Sequence, residues 1–306
     1  MSARTLVVGS RGSRLALRQA EIALEALSPA HPEATFEVRT IRTTGDRTKG
    51  SLSEIGGRGV FVIEIERALL AGEIDIAVHS LKDLPTDETP GLAIAAVLPR
   101  EDPRDVLISR RDAKVNELVH GALVGTGSPR RAAQLIAMRP DLRIADIRGN
   151  VDTRISKVES GDYDAVVLAA AGLVRLGWLD RASQTFDPDE MLPAPGQGAL
   201  AVQVRTDDPD AFTTVLSVDD PDTRATVTAE RAFERRLGGG CHAAIAALAD
   251  VWEERIRLRG LVADPAGGEL VRGEIDSAVT DPESAGQLLA EQMIERGADR
   301  LLEATA

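Results

Sequence analysis

The sequence predicts an α/β protein with a smaller α+β unit at its C-terminal end. Over about the first two-thirds of the 306 residues, short apolar runs alternate with amphipathic segments, a pattern typical of helices packed on a largely parallel sheet. After Asp219 the pattern changes to a helix, two strand-like runs around a Gly-rich turn, and a final helix. The chain is long enough for two or three domains, each with its own core.

The N-terminal part begins with a predicted strand at residues 5–8 and a helix at 13–27, in which Leu17, Ala20, Leu24 and Leu27 share one face. Gly, Thr and charged residues dominate 43–59, which therefore predicts a loop. The remaining elements of this part are a strand at 36–41, a helix at 60–71, and strands at 75–79, 92–97 and 105–108.

Three strand–turn–helix units follow. They are predicted at 122–124 with 129–138, 143–147 with 151–158, and 165–168 with 171–176. The first of them resembles the start of the chain, because Gly9-Ser10 and Gly125-Thr126 each end a strand shortly before a helix. Two similar α/β domains would explain this sequence similarity (the echo between the two segments), and so would the recurrence of small residues at unrelated turns.

Proline-containing segments at 99–103 and 193–198 predict two crossovers between domains. Domain 1 is then expected at residues 1–98 with 199–217, domain 2 at 104–193 and domain 3 at 221–306. Within domain 3 we expect a helix at 223–237, antiparallel strands at 256–262 and 269–275, and one long helix at 282–303.

The composition excludes several classes of function. There are 36 Lys+Arg against 49 Asp+Glu, a net charge of -13, and only 3% aromatic residues, which argues against nucleic acid as a partner. No apolar run reaches the length of a membrane span, and no signal-peptide core follows Met1. The single cysteine excludes an internal disulfide and fits a reducing cytoplasm. We expect a monomer.

Arginines recur at the predicted starts of helices. Ser128-Pro129 predicts a helix start, yet Arg130 and Arg131 follow in the first turn, where the helix dipole disfavours cations. They are either exposed arginines tolerated at small cost or part of an anion site that includes the helix amides. The other arginines near strand–helix turns are Arg11, Arg148, Arg154 and Arg175. Because such turns meet in one crevice of an open sheet, the pattern favours a polyanion-binding cleft.

Two further segments are candidates for chemistry. Lys82 and Asp83 follow a strand and precede Pro85. They either form an ordinary charged turn or place the Asp83 carboxylate towards the cleft. His79 is expected to be a hydrogen-bonded strand residue. Cys241 follows three glycines and is either a small buried residue or a reactive, covalently loaded thiol. Because Cys241 and His242 lack a second ligand pair at zinc spacing, no metal is expected.

Taken together, these residues resemble the porphobilinogen deaminase (hydroxymethylbilane synthase) family over almost the whole chain. The segments that carry the resemblance are residues 9–13, 56–61, 78–85, 100–105, 148–151, 192–199 and 230–241. The resemblance implies two domains similar to type II periplasmic binding proteins with a cleft between them, and a small α+β C-terminal domain. It further implies a dipyrromethane cofactor joined to Cys241 by a thioether.

The activity that the resemblance implies is the head-to-tail addition of four porphobilinogen molecules to this primer, with loss of ammonia. Water then releases the linear tetrapyrrole hydroxymethylbilane, and the primer remains. Asp83 is expected to face the pyrrole nitrogens and to stabilise the positive charge that develops there. The residues expected to hold cofactor carboxylates are Ser80, Lys82, Thr126, Ser128, Arg130, Arg131, Arg148, Gly149 and Arg154. Those expected to bind incoming porphobilinogen are Arg11, Ser13, Arg148, Arg154 and Arg175.

The chain departs from the usual pattern of that family at three positions. Glu54 stands near a position commonly occupied by lysine, and Arg58 replaces a second lysine. Gly127 stands where the family usually has the first of two serines, so one hydroxyl is lost. Two other classes of function also remain open: an anion-binding receptor or effector domain without chemistry, and a Cys–His hydrolase, which would need a partner histidine oriented by a third group.

Overall fold

The computed structural model describes residues 5–41, 62–238 and 243–303. By its internal contacts the chain divides into two compact units. The first contains Met1–Glu101 with Ala199–Arg224, and the second Asp102–Gly198 with Ala225–Ala306. No helix within the described ranges combines the length and the hydropathy that crossing a membrane requires.

The first unit contains a five-stranded sheet of order β2-β1-β3-β10-β4. Its strands are β1 (Thr5–Ser10), β2 (Thr35–Thr40), β3 (Ile76–Ser80), β4 (Leu92–Val97) and β10 (Leu200–Arg205), and its helices α1 (Arg14–Ala30), α2 (Ile63–Leu70) and α6 (Pro209–Leu216). The first three strands are parallel, whereas β10 runs antiparallel to both of its neighbours. Strand β10 enters this sheet from a distant part of the sequence, as the predicted crossovers require.

The second unit contains a five-stranded sheet of order β7-β6-β8-β5-β9. Its strands are β5 (Asp105–Ser109), β6 (Leu123–Gly125), β7 (Arg143–Ala145), β8 (Ala165–Ala169) and β9 (Gln184–Thr185), and its helices α3 (Pro129–Met138), α4 (Val151–Glu159) and α5 (Ala170–Leu176). Strands β6, β7 and β8 are parallel, and β5 runs antiparallel to both β8 and β9.

The two sheets share one topology. In each, the first strand of a β-α-β-α-β run lies between the second and the third, and an antiparallel strand from elsewhere in the chain lies beyond the third. This common order confirms that the echo between Gly9-Ser10 and Gly125-Thr126 marks two similar α/β domains. The domain boundaries stay a prediction.

The C-terminal part of the second unit is a three-stranded antiparallel sheet covered by helices. Its elements are α7 (Pro221–Leu237), which starts in the first unit, β11 (Ala244–Trp252), β12 (Arg255–Ala263), β13 (Leu270–Ala278), α8 (Pro282–Glu295) and α9 (Ala298–Glu303). The prediction missed β11, an alanine-rich strand whose first six residues are all buried. The single helix predicted at 282–303 is wrong, because Gly297 at φ +89° separates α8 from α9.

Candidate active site

One edge of the sheet in the second unit gathers most of the predicted site residues. The parallel strands β6, β7 and β8 end there, as the pairs Gly125–Ala145 and Gly125–Val166 show, and the antiparallel β5 begins there opposite Ala169. Each of the three helices α3, α4 and α5 follows the end of one of these strands. The edge therefore carries Thr126, Ser128, Arg130, Arg131, Arg148, Gly149 and Arg154, and α5 adds Arg175 in its last turn.

The start of helix α3 has the predicted geometry. Ser128 is its N-cap and accepts a hydrogen bond from the Arg131 N–H at 3.5 Å, with Pro129 as the first helical residue. The Ser128 N–H in turn donates to Thr126 Oγ1 at 3.1 Å. Both hydroxyl residues thus satisfy backbone groups that would otherwise be orphaned at a helix start.

Arg130 and Arg131 are buried, being only 4% and 7% exposed. Arg130 Nη1 lies 2.7 Å from Asp105 Oδ2, and Arg131 Nη2 lies 2.7 Å from Asp105 Oδ1. Arg131 also donates to the carbonyl of Val167 at 3.1 Å. The interpretation of these residues as exposed arginines is therefore wrong: the Asp105 carboxylate at the start of β5 offsets the unfavourable helix dipole.

Gln197 completes this buried cluster. Its Nε2 donates to Asp105 Oδ1 at 2.9 Å and to the Pro103 carbonyl at 2.6 Å. Burial alone would raise the pKa of Asp105, but the charges of Arg130 and Arg131 outweigh burial and hold it well below its usual range. Sequence reasoning assigned no role to Asp105 or Gln197. The only signal was that both lie in segments that carry the family resemblance.

Arg148 and Arg154 lie on the loop and helix that follow β7. Arg148 Nε donates to Asp146 Oδ2 at 3.0 Å, and Arg154 Nε donates to the Gly149 carbonyl at 2.8 Å. Gly149 has φ +111°, a conformation that favours glycine. Unlike Arg130 and Arg131, these arginines are partly exposed. They are therefore accessible to an anionic ligand at the sheet edge.

Arg175 is placed differently from the other arginines. It lies in the last turn of α5, where a cation is favoured, and Nη2 donates to the Gly198 carbonyl at 2.6 Å. Gly198 ends the same segment that supplies Gln197. The segment thus contacts both the buried arginine cluster and Arg175.

The first unit brings its own predicted residues to one sheet edge. Strands β1 and β3 are parallel, so Arg11 and Ser13 after β1 share an edge with Ser80, Lys82 and Asp83 at the end of β3. Ser13 caps α1 by accepting from the Ala16 N–H at 3.2 Å, and Ser80 Oγ accepts from Gln19 Nε2 at 2.8 Å. Residues Leu81–Asp83 form one turn of 3₁₀ helix. This turn leaves the Asp83 side chain exposed at the edge.

His79 is buried in β3, two residues before this turn. Burial lowers its pKa from 6.5 to about 4, against a smaller opposing effect of Gln203. Nε2 of His79 has no hydrogen-bond partner among the residues that the structure describes. The imidazole is therefore neutral near pH 7.

Several predicted features lie outside the described residues. They are Cys241 and its neighbour His242, and Glu54 and Arg58 in the predicted loop 43–59. The cofactor attachment point and the charge of this loop stay predictions.

Comparison with known proteins identifies the family. The model described as "Porphobilinogen deaminase, dipyromethane cofactor binding domain" matches residues 6–213, and "Porphobilinogen deaminase, C-terminal domain" matches residues 224–295. Two relatives, both called porphobilinogen deaminase, are 48% identical to this chain. The protein of Thermus thermophilus aligns over 98% of both chains, and that of Geobacillus kaustophilus over 98% of this chain and 97% of its own.

Solved structures add only a weak likeness. An arginine-specific periplasmic binding protein of Salmonella typhimurium is 14% identical with a TM-score of 0.40, over 72% of this chain and 94% of its own. The VFT2 domain of Bordetella pertussis BvgS is 16% identical with a TM-score of 0.42, over 70% and 86%. The family models, in contrast, span both α/β domains and the C-terminal sheet. The chain therefore belongs to the porphobilinogen deaminase family.

Proposed function

We propose that this protein is a transferase that condenses porphobilinogen head to tail onto a covalently held dipyrromethane primer and releases hydroxymethylbilane. The observation that carries the proposal is the set of arginines and hydroxyl residues at equivalent edges of two matching sheets, within a chain of this family. Each porphobilinogen brings an acetate and a propionate, so the growing chain is a polyanion. Guanidinium groups bind such carboxylates through paired N–H donors.

The side chains at the sheet edge of the second unit fit the dipyrromethane cofactor. They combine arginines with hydroxyl groups, the donor set that carboxylates require. Of these, the partly exposed Arg148 and Arg154 are suited to direct contact with the cofactor carboxylates. Thr126 and Ser128 follow β6, the strand next to β7. When bound, the cofactor supplies the pyrrole carbon to which the first substrate is joined. Cys241 is the proposed attachment point.

Asp83 is the proposed catalytic residue. It follows β3 on the 3₁₀ turn, and its carboxylate is exposed at the edge that also carries Arg11 and Ser13. Loss of ammonia from porphobilinogen and attack by a pyrrole both develop positive charge on nitrogen. A carboxylate fixed beside that nitrogen stabilises the charge and can accept a proton. We further propose that the protein acts as a cytoplasmic monomer.

The Cys–His hydrolase alternative needs a histidine beside Cys241, which lies outside the described residues. A hydrolase that uses a serine receives no support from His31. His31 does contact a serine, since Nε2 lies 2.8 Å from Ser217 Oγ, and Glu33 lies 3.4 Å from Nδ1. However, Ser217 Oγ donates to the Thr214 carbonyl at 2.7 Å. His31 is therefore not placed to take the serine proton, and the contact links the ends of α1 and α6.

Intact-mass spectrometry of the purified protein tests the proposal. We expect the wild-type chain to exceed its sequence mass by one dipyrromethane unit, and Cys241→Ala to fold without the adduct and without turnover of porphobilinogen. A receptor or a hydrolase would show no adduct in either protein. Near-normal turnover by Cys241→Ala would contradict the assignment of the primer.

A further inference from the structure

Arg148 is held through one edge of its guanidinium. The Nε atom donates to Asp146 Oδ2 at 3.0 Å, and neither Nη1 nor Nη2 has a hydrogen-bond partner among the residues that the structure describes. A guanidinium binds a carboxylate most strongly through two parallel N–H bonds. The contact with Asp146 therefore orients the side chain and keeps the Nη1–Nη2 edge for a ligand.

Asp146 is itself anchored to the sheet. It directly follows β7, and its main-chain carbonyl accepts a hydrogen bond from the Tyr163 hydroxyl at 2.7 Å. Because the backbone of Asp146 is fixed, its carboxylate can move only by rotation of the side chain. The atoms around the carboxylate therefore select the rotamer in which it contacts Arg148.

Gly127 provides the space that the Asp146 carboxylate occupies. A Cβ atom at position 127 would lie 2.7 Å from Asp146 Oδ1, closer than a Cβ atom approaches an oxygen to which it is not bonded. Gly127 has no positive φ, so the absence of a side chain, and not an unusual backbone, is what the site uses. A serine here, as is usual in the family, would displace the carboxylate.

We propose that Asp146 is a positioning residue that aims Arg148 at ligand carboxylates, and that Gly127 is the gap which lets Asp146 do so. The inference rests on the proposed function for the identity of the ligand, porphobilinogen and the pyrrole chain built from it. At position 127 the chain lacks the serine hydroxyl that is usual in the family, and the oriented Arg148 then replaces that neutral hydrogen-bond donor.

A double-mutant cycle tests this coupling. Gly127→Ser is expected to fold, because the displaced group is the end of a side chain that is 51% exposed. We expect Gly127→Ser and Asp146→Ala each to raise the KM for porphobilinogen about threefold to fivefold with kcat nearly unchanged, as for the loss of one exposed ion pair. The double variant should be no worse than either single one. Additive effects, or no effect of either change, would overturn the proposal.

Asp141→Ala is the matched control. Asp141 pairs with Arg139 in the same unit at 2.7 and 2.8 Å, away from the strand ends that carry the site. Its loss removes one carboxylate and one arginine contact, as Asp146→Ala does, together with contacts to the Gly121 N–H and His120, each at 3.2 Å. It should leave KM unchanged. An equal rise in KM would show that only the net charge of the unit matters, and the positioning role would be wrong.

A spectroscopic readout separates this inference from the proposed function. In ¹⁵N-edited NMR of the whole chain, the Arg148 Nε–H, assigned by its loss in Arg148→Lys, should be shifted and protected from exchange. Both Gly127→Ser and Asp146→Ala should abolish that protection, whether or not the protein uses porphobilinogen. Protection that survives both changes refutes the contact, whereas a wild-type chain without turnover refutes only the proposed function.

Discussion

The buried histidine of the first unit makes a quantitative prediction about acid stability. His79 is 5% exposed, and burial lowers its pKa from 6.5 to about 4. In the unfolded chain the imidazole takes up a proton near pH 6.5, whereas in the folded chain it stays neutral down to about pH 4. The neutral imidazole therefore stabilises the fold fully above about pH 6.5, and this contribution is lost as the pH falls towards 4.

The size of the effect follows from the shift. Each pKa unit corresponds to about 1.4 kcal/mol, so a shift from 6.5 to about 4 corresponds to about 3 kcal/mol in the free energy of unfolding. Most of that loss should have occurred by about pH 4.5. Some carboxylates have a lowered pKa and lose their stabilising effect only at lower pH, because their ordinary pKa values are 3.8 and 4.5. They are Asp102, Asp105, Asp141 and Glu274.

Urea unfolding at several pH values between 7 and 4.5, followed by far-UV circular dichroism, measures the effect. His79→Asn is expected to be less stable than wild type at pH 7 but to lose about 2 kcal/mol less between the two ends of this range. His120→Asn, which removes a side chain that is 92% exposed, is the control for the loss of a histidine. If His79→Asn keeps the wild-type slope, His79 is not the group that titrates, and the reasoning from its burial fails.

Three further predictions concern the proposed site. Arg148→Leu should impair both primer assembly and turnover, whereas Arg175→Leu should keep the primer and slow substrate addition. Intact mass and steady-state kinetics on the same preparations measure the two effects, and equal primer content in both variants would contradict the different roles of the two arginines. Asp83→Asn should keep the covalent primer but slow condensation about 10²–10³-fold, and Asp83→Glu should reduce the rate of condensation less. A wild-type single-turnover rate in Asp83→Asn would show that Asp83 is only a turn residue. Glu54→Lys, in the segment outside the described residues, should leave activity intact or slightly favour elongation, with an effect screened by salt; a large loss of activity would reveal a specific contact of Glu54.

The sequence by itself was sufficient for the features that depend on neighbours along the chain. The alternation of strands and helices predicted the α/β class, Ser128-Pro129 predicted the start of α3, and the echo around Gly9 and Gly125 pointed to the repeated domain. These signals are local, because hydrophobic periodicity, caps and turn residues act within a few positions. The motifs along the chain likewise identified the family and the candidate residues.

Only the tertiary structure decided which of the arginines are buried and which are accessible. Arg130 and Arg148 look alike in sequence, each close to a strand–helix turn. The first is buried against Asp105, which is 25 positions away in the chain, and the second is held through one edge by Asp146. The crossover predicted at 193–198 assigns β10 to the first domain, but only the structure shows that it lies between β3 and β4. Pairings over such separations depend on the strand order of the sheet, which side-chain patterns within one segment do not encode.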